Sequence, residues 1–210
     1  MQRRSVRTKK GRAAAAAAVA SALATVVGLG VGLGAAPGVA HAGAGAAVGD
    51  PRVCVLAQLS KWDEGPTVEA LAACGGDVGG ELLWHASGNA PNGLVRGRAL
   101  LYLPLFAPDE AVPVLREVLA DPEEHAYFRA RAIAAAGALA DEYPDAVLEM
   151  VTLALGAAAD PYVRERGIDT ALLLPGKAAL ETLKRHRVRE RARWLMPKLK
   201  SAVAALEARP

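Results

Sequence analysis

The 210-residue chain contains few histidines, cysteines and serines, the residue types that most often act as nucleophiles or as their bases. Beyond residue 42 its only histidines are His85, His125 and His186. Glu81 and His85 are one helical turn apart, which lets two side chains share a metal ion, but no third ligand is evident in the sequence. Glu124 precedes His125 where acidic residues favour the start of a helix. No G-x-S-x-G or HExxH motif occurs, so we expect no catalytic, cofactor or metal site.

The most strongly charged part of the chain is KRHRVRERARWLMPKLK, residues 184–200, with eight basic residues against one glutamate. A basic amphipathic helix of this kind can bind an acidic protein, an anionic envelope polymer or a membrane surface. It can equally be a solvated terminal helix whose basic residues suit its C-terminal half. The residues predicted to contact a partner are Arg187, Arg189, Arg191, Arg193, Trp194 and Lys198.

Residues 1–42 have the pattern of a secretory signal peptide. Residues 1–12 carry six positive charges, residues 13–40 carry none, and Ala40-His41-Ala42 is an A-x-A cleavage site. We therefore expect an exported protein, in a periplasm or outside the cell. Residues 13–40 are also long enough to cross a bilayer, so a membrane-anchored scaffold with an uncleaved leader is the competing prediction. Residues 43–52 are predicted to be a flexible linker before a helical domain at 53–208.

The basic charge of the whole chain comes from this leader. The chain has 25 Lys and Arg against 22 Asp and Glu, whereas the part after residue 42 has 19 against 22. The high isoelectric point therefore does not indicate nucleic-acid binding, and we expect none. Cys54 and Cys74 are the only cysteines, and in an exported protein they predict one disulfide.

Four copies of a five-residue motif, V/F-R-x-R-A/G, divide the helical part of the chain at 95–99, 128–132, 163–167 and 188–192. Apolar residues recur at helical spacing from Val53 onward, which predicts an all-α fold. Asp121-Pro122 and Asp160-Pro161 precede two copies, as is typical of a helix N-cap and first turn. Each of the first three copies begins a helix that is followed by a break and a second helix. We place these second helices at about 110–119, 145–156 and 177–185.

The arginines of these motifs are predicted to have mainly a structural role. The first and last residues of each motif face the core, and the two arginines point away from that stripe. We expect the arginines to pair with acids of neighbouring repeats, with Asp160 and Glu165 as local candidates. Only the copy within residues 184–200 remains a candidate for contact with a partner.

The last helix is predicted at about 186–207. Pro197 should kink this helix, or split it after Leu195. Its apolar stripe follows intervals of three and four residues and comprises Val188, Ala192, Leu195, Leu199, Val203 and Leu206.

The D-P-x-V-R opening, the Ala-rich first helix, the Pro or Gly break and the apolar second helix resemble HEAT-like repeats. This resemblance covers about residues 92–207 and is strongest at 160–183. It implies a short right-handed α-solenoid of stacked antiparallel helix pairs. Residues 53–87 would form an N-terminal cap that is stapled by the disulfide.

HEAT-like families include protein-interaction scaffolds, lyase-type chaperones of chromophores and a few enzymes. The resemblance therefore implies a surface for binding but does not identify a ligand. We expect an exported, non-catalytic binding or scaffold protein without a cofactor, whose partner is a protein or an anionic envelope component. The alternative is an enzyme or enzyme accessory, lyase-like or metal-dependent, that uses Glu81, His85, Glu124 and His125.

Overall fold

Ten α-helices, without a strand, make up most of the computed structural model, which describes residues 50–156 and 159–209. The predicted signal peptide, residues 1–42, lies outside the described residues, as does nearly all of the predicted linker. Within the described ranges, no helix combines the length and the hydrophobicity needed to cross a membrane. The helices are α1 (Pro51–Leu59), α2 (Val68–Ala72), α3 (Val78–Trp84), α4 (Gly93–Phe106), α5 (Pro108–Ala120), α6 (Ala126–Ala136), α7 (Pro144–Ala154), α8 (Pro161–Ala171), α9 (Lys177–Arg189) and α10 (Leu195–Glu207).

Helices α1 to α3 form the predicted N-terminal cap. Helix α1 begins at Pro51, slightly before the expected start of the helical domain. Cys54 in α1 is bonded to Cys74, just after α2, with their Cα atoms 5.5 Å apart. This confirms the predicted disulfide. Leu59 and Leu71 are fully buried, so the disulfide joins two short helices that both contribute to the apolar core of the array.

The helices from α4 onward stack as pairs in two rows. The first helices of the pairs, α4, α6 and α8, pack on one another, and the second helices, α5, α7 and α9, form the other row. Each second helix also packs on the first helix of the next pair, and α10 covers the end of the array by packing on α8 and α9. The predicted α-solenoid of stacked helix pairs is confirmed, with the second helices beginning at or close to their predicted starts.

Burial within the first three arginine motifs follows the prediction, whereas Val188, the first residue of the fourth motif, is exposed. Val95, Ala99 and Val163 are completely buried, and Phe128 is half-buried against the core. At Gly167, the last residue of the third motif, an added Cβ would lie 3.1 Å from the Cβ of Ala154 in α7. The small residue at the end of the motif therefore lets the two helices approach closely.

Replacement of Gly167 by valine is expected to lower the free energy of unfolding by about 2 kcal/mol, because the branched side chain would force α8 away from α7. Urea unfolding measures this change. Gly93→Ala is a suitable control, since its Cβ would meet its nearest neighbour at an ordinary 3.4 Å, and we expect a change within about 0.5 kcal/mol. A Gly167→Val variant as stable as the parent protein would contradict the close approach.

Arginines of two motifs pair with acids of the following repeat. In the first motif, Arg96 Nη2 lies 2.6 Å from Oε2 of Glu124, which precedes the second motif. In the third, Arg164 binds Glu190, which lies within the fourth motif. The predicted pairing between repeats is therefore confirmed at these positions, but neither acid is one of those expected. Asp160 instead caps α8 by accepting a hydrogen bond from the backbone N–H of Tyr162 at 2.8 Å.

The start of α6 differs from the prediction. Asp121 does not cap this helix, because its carboxylate accepts a hydrogen bond from the backbone N–H of Glu123 within the preceding turn. The cap is His125, whose Nδ1 accepts from the backbone N–H of Tyr127 at 3.1 Å. The Asp-Pro pair therefore starts a turn before α6, whereas Asp160-Pro161 starts a helix directly.

The prediction of one helix over residues 186–207 is wrong, because α9 ends at Arg189 and α10 begins at Leu195. Pro197 lies in the first turn of α10, where its missing N–H leaves no hydrogen bond unmade. The helix ends earlier, next to Glu190, which forms an ion pair with Arg164 of α8. Val188 is consequently 85% exposed, while the later part of the predicted stripe is buried: Leu195, Leu199, Val203 and Leu206.

Candidate functional site

The first pair of possible metal ligands is not arranged for metal binding. Glu81 Oε1 lies 2.8 Å from Nε of Arg52, so its carboxylate already has a cationic partner. His85 is buried, and its Nδ1 has no hydrogen-bond partner among the described residues. Glu81 is therefore engaged by Arg52, and His85 lies in the core.

The second pair is used in helix capping and repeat contacts. Glu124 binds Arg96 and also accepts a hydrogen bond from the backbone N–H of His125. The Nδ1 of His125 is occupied by the cap of α6. In the described ranges, no group of three or more His, Cys, Asp and Glu residues is placed to hold a metal ion.

The six residues predicted to contact a partner do not form one surface. The four arginines and Trp194 are exposed, on α9 and on the segment that follows it. Arg187 is two positions from both Arg185 and Arg189, and on a helix with 3.6 residues per turn it points to the opposite side. The helix break therefore separates these residues into groups with different surroundings.

Lys198 is engaged within the protein. Its Nζ lies 3.0 Å from a carboxylate oxygen of Glu165 and 2.8 Å from the carboxylate of Asp169, both in α8. Partial burial lowers the pKa of Lys198, but the hydrogen bonds to Asp169 and Glu165 outweigh this effect and raise it. Lys198 thus joins α10 to α8, and its charge is balanced inside the array.

A concave pocket of about 490 Å³ lies where α7, α8 and α9 meet. We call it the basic pocket because most of its charged lining residues are cationic. Helix α7 provides Leu155 from its end, and the remaining wall includes Arg164 of α8, Arg185, His186 and Arg189 of α9, and Arg191 from the break after α9. Two of the predicted contact residues, Arg189 and Arg191, are therefore brought together at one site.

Glu190 forms the buried base of this pocket. Its carboxylate is 0% exposed and receives Arg164 Nε at 2.9 Å and Arg164 Nη2 at 3.1 Å. It also lies 2.8 Å from His186 Nε2 and accepts the backbone N–H of Ala192 at 2.6 Å. Burial raises the pKa of Glu190, but the hydrogen bonds from Arg164, Ala192 and His186 prevail and lower it from 4.5 to about 2.

The positive charge at the rim of the pocket is not balanced by an acid. Arg164 and Glu190 neutralise each other, and among the residues that the structure describes Arg185 donates only to the Thr182 hydroxyl at 3.2 Å and to a backbone carbonyl. Within the part of the chain that the structure describes, Arg189 and Arg191 make no hydrogen bond or ion pair through their side chains. All 22 Asp and Glu residues lie at positions 50–207, so the residues outside the described ranges contain no acidic side chain that could pair with these arginines.

Only part of this site was predicted from the sequence. That prediction singled out Arg189 and Arg191 but assigned Arg185 no role. The i, i+4 spacing of Arg185 and Arg189 was the available signal, because such residues share one face of a helix. The role of Glu190 had no comparable signal, since its main partner, Arg164, belongs to an earlier helix pair.

An exposed aromatic pair occurs at the same end of the array. The rings of Tyr162, at the start of α8, and Trp194, just before α10, have centroids 5.8 Å apart. The two residues are 68% and 52% exposed. Trp194 was predicted to contact a partner, and the structure gives it an aromatic neighbour from another repeat, with the two rings tilted by 50°.

The family model for HEAT repeats matches residues 81–171, which extend from α3 to the end of α8. Residues 81–171 are HEAT-like repeats. HEAT repeats are commonly protein-interaction scaffolds. Searches of the curated proteins and of the solved structures found no match to this chain. The basic pocket lies at the C-terminal boundary of the matched HEAT-like repeats, because α7 and α8 fall inside the match and α9 follows it.

Proposed function

We propose that this protein is a non-catalytic binding or scaffold protein that recognises an acidic protein partner through its HEAT-like repeats. The observation that carries this proposal is the basic pocket, where three arginines face solvent without an acid of their own chain. Unpaired guanidinium groups in a concave site are suited to carboxylates, which they can bind with two parallel hydrogen bonds. The common role of HEAT repeats in protein interactions supports a protein as the partner.

Capture of a partner is expected to depend on the arginines of the pocket. With the protein spanning residues 43–210 as bait, the double variant Arg189→Gln/Arg191→Gln should recover at least about tenfold less of the specific partner, because each lost charged hydrogen bond weakens binding by about 1.5–3 kcal/mol. Quantitative mass spectrometry of the captured proteins measures the ratio.

Arg187→Gln is the matched control for this experiment. It removes a charge of the same kind from the same helix, but on the side opposite the pocket, and we expect less than about a twofold change. Equal losses with the pocket and control variants would show that only the overall charge matters. Recovery of an anionic polymer instead of a protein would favour an envelope component as the partner.

We further propose that the protein acts outside the cytoplasm. The proposal is supported by the charged, apolar and A-x-A pattern of residues 1–42 and by a disulfide in the N-terminal cap. N-terminal sequencing of the protein isolated from the cell envelope should begin at Gly43. A protein that retains residues 13–40 would instead support the membrane-anchored scaffold.

A further inference from the structure

We infer that the basic pocket binds an extended acidic segment in which every second residue is Asp or Glu. This inference rests on the proposed function and specifies the part of the partner that enters the pocket. The charge of the pocket, its size and the spacing of its arginines each support this kind of ligand.

The charge available to a ligand comes from Arg185, Arg189 and Arg191. Arg164 and His186 also line the pocket, but both are already bound to Glu190. The backbone carbonyl of Ala159 occupies a further N–H group of Arg164. Glu190 therefore keeps Arg164 and His186 in the wall of the pocket. The three arginines at the rim remain available to a ligand.

The size of the pocket favours a peptide segment over a single small anion. Its volume of about 490 Å³ lies in the range of about 300–1,000 Å³ that is usual for sites of organic ligands. One phosphate or one carboxylate fills only a small part of that space. A short stretch of extended chain with two acidic side chains fits the volume and can engage more than one arginine.

The spacing of the arginines favours alternate acidic residues. Arg185 and Arg189 are one helical turn apart, with Cβ atoms separated by about 5–6 Å. In an extended chain, residues i and i+2 point to the same side and are about 7 Å apart. Two carboxylates at positions i and i+2 can therefore reach these two guanidinium groups, and Arg191 extends the cationic wall towards a third.

The test uses a fluorescently labelled peptide in which three glutamates alternate with serines. The anisotropy of the peptide is measured as the protein spanning residues 43–210 is added. We expect saturable binding that weakens at least tenfold in Arg189→Gln/Arg191→Gln and less than twofold in Arg187→Gln. Binding should also weaken as the salt concentration increases. A peptide with glutamine in place of glutamate should not bind. The exposed positions of the substituted arginines leave the buried core intact, which circular dichroism and urea unfolding verify.

The same assay contains the outcomes that would overturn the inference. Peptide binding unchanged in Arg189→Gln/Arg191→Gln would place the acidic segment elsewhere. Tight binding of inorganic phosphate or citrate without binding of the peptide would assign the pocket to small anions. A dimer that dissociates in the double variant would show that an acidic surface of a second copy occupies the pocket.

Failure of this inference is distinguishable from failure of the proposed function. If the peptide does not bind but partner capture still depends on Arg189 and Arg191, only the alternating acidic segment is wrong. If partner capture is unaffected by these substitutions, the pocket is not the partner site and the proposed function loses its main support.

Discussion

Glu190→Gln is expected to lower the free energy of unfolding by about 3 kcal/mol at neutral pH. The Glu190 side chain is completely buried, and its main partner, Arg164, is only 12% exposed. Removal of the carboxylate charge leaves a buried guanidinium without its counter-ion, and loss of one member of a buried pair costs about 3–5 kcal/mol. We place the effect at the lower end because the pair lies beside a pocket that water can enter.

The pH dependence of stability follows from the same carboxylate. Burial raises the pKa of Glu190, but the hydrogen bonds, first those from Arg164, lower it to about 2 in the folded protein, against 4.5 for the ordinary group. A lowered folded-state pKa stabilises the protein above the unfolded-state pKa. This contribution should therefore be complete well above pH 4.5 and be lost as the pH falls towards 2, with a total on the order of 3 kcal/mol.

Urea unfolding of the parent protein and of Glu190→Gln at pH 7, 4 and 2.5 tests the predicted loss of stability and its pH dependence. The difference between the two proteins should be largest at pH 7 and shrink at pH 2.5. Glu149→Gln is the control, because the ion pair of Glu149 with Arg116, at 3.3 Å, has both side chains about half exposed. Such pairs contribute less than about 1 kcal/mol. Equal destabilisation by the two substitutions, at every pH, would contradict the role given to Glu190.

Loss of the Cys54–Cys74 disulfide is expected to lower the free energy of unfolding by about 3 kcal/mol. The bond closes a loop over a sequence separation of 20 residues, and the chain-entropy model assigns about this value to a loop of that length. Cys54→Ala/Cys74→Ala removes the bond without burying a new polar group, which matters because Cys74 is 1% exposed. Urea unfolding under oxidising conditions measures the change.

The reduced parent protein provides the control for this double variant. It should unfold at nearly the same urea concentration as Cys54→Ala/Cys74→Ala, whereas reducing agent should leave the variant itself unchanged. Far-ultraviolet circular dichroism should retain most of the helical signal, since helices α4 to α10 pack on their own neighbours. An oxidised and a reduced protein with the same unfolding curve would show that the disulfide adds nothing to stability.

The sequence was sufficient to predict features that depend on local patterns. Apolar residues at helical spacing and the first three arginine motifs placed the helix pairs, because helix type and burial follow directly from periodicity. The pairing of Cys54 with Cys74 followed from the presence of only two cysteines. The orientation of the motif arginines also followed from helix geometry, although the acids that bind them, Glu124 and Glu190, were not the ones expected.

Features that depend on contacts between distant residues were not predictable in this way. The sequence predicts a kink at Pro197 or a split after Leu195, because proline interrupts a helix interior, whereas the helix ends at Arg189. The actual position of the break reflects the attraction of Glu190 to Arg164 in α8. The same break decides which arginines line the pocket, so an interpretation of residues 184–200 as one cationic surface could not separate Arg189 and Arg191 from Arg187 and Lys198.

The arrangement of the array also bears on the order in which a growing chain can fold. The disulfide lies at the start of the helical domain, between α1 and the end of α2, so the two cysteines can meet before the later helices have been synthesised. Each subsequent helix pair packs mainly on the pair before it, and such short-range contacts form quickly. The basic pocket needs α7, α8 and α9 together with Glu190. It is therefore among the last features to form, and an interrupted chain would present a folded cap and early repeats without a binding site.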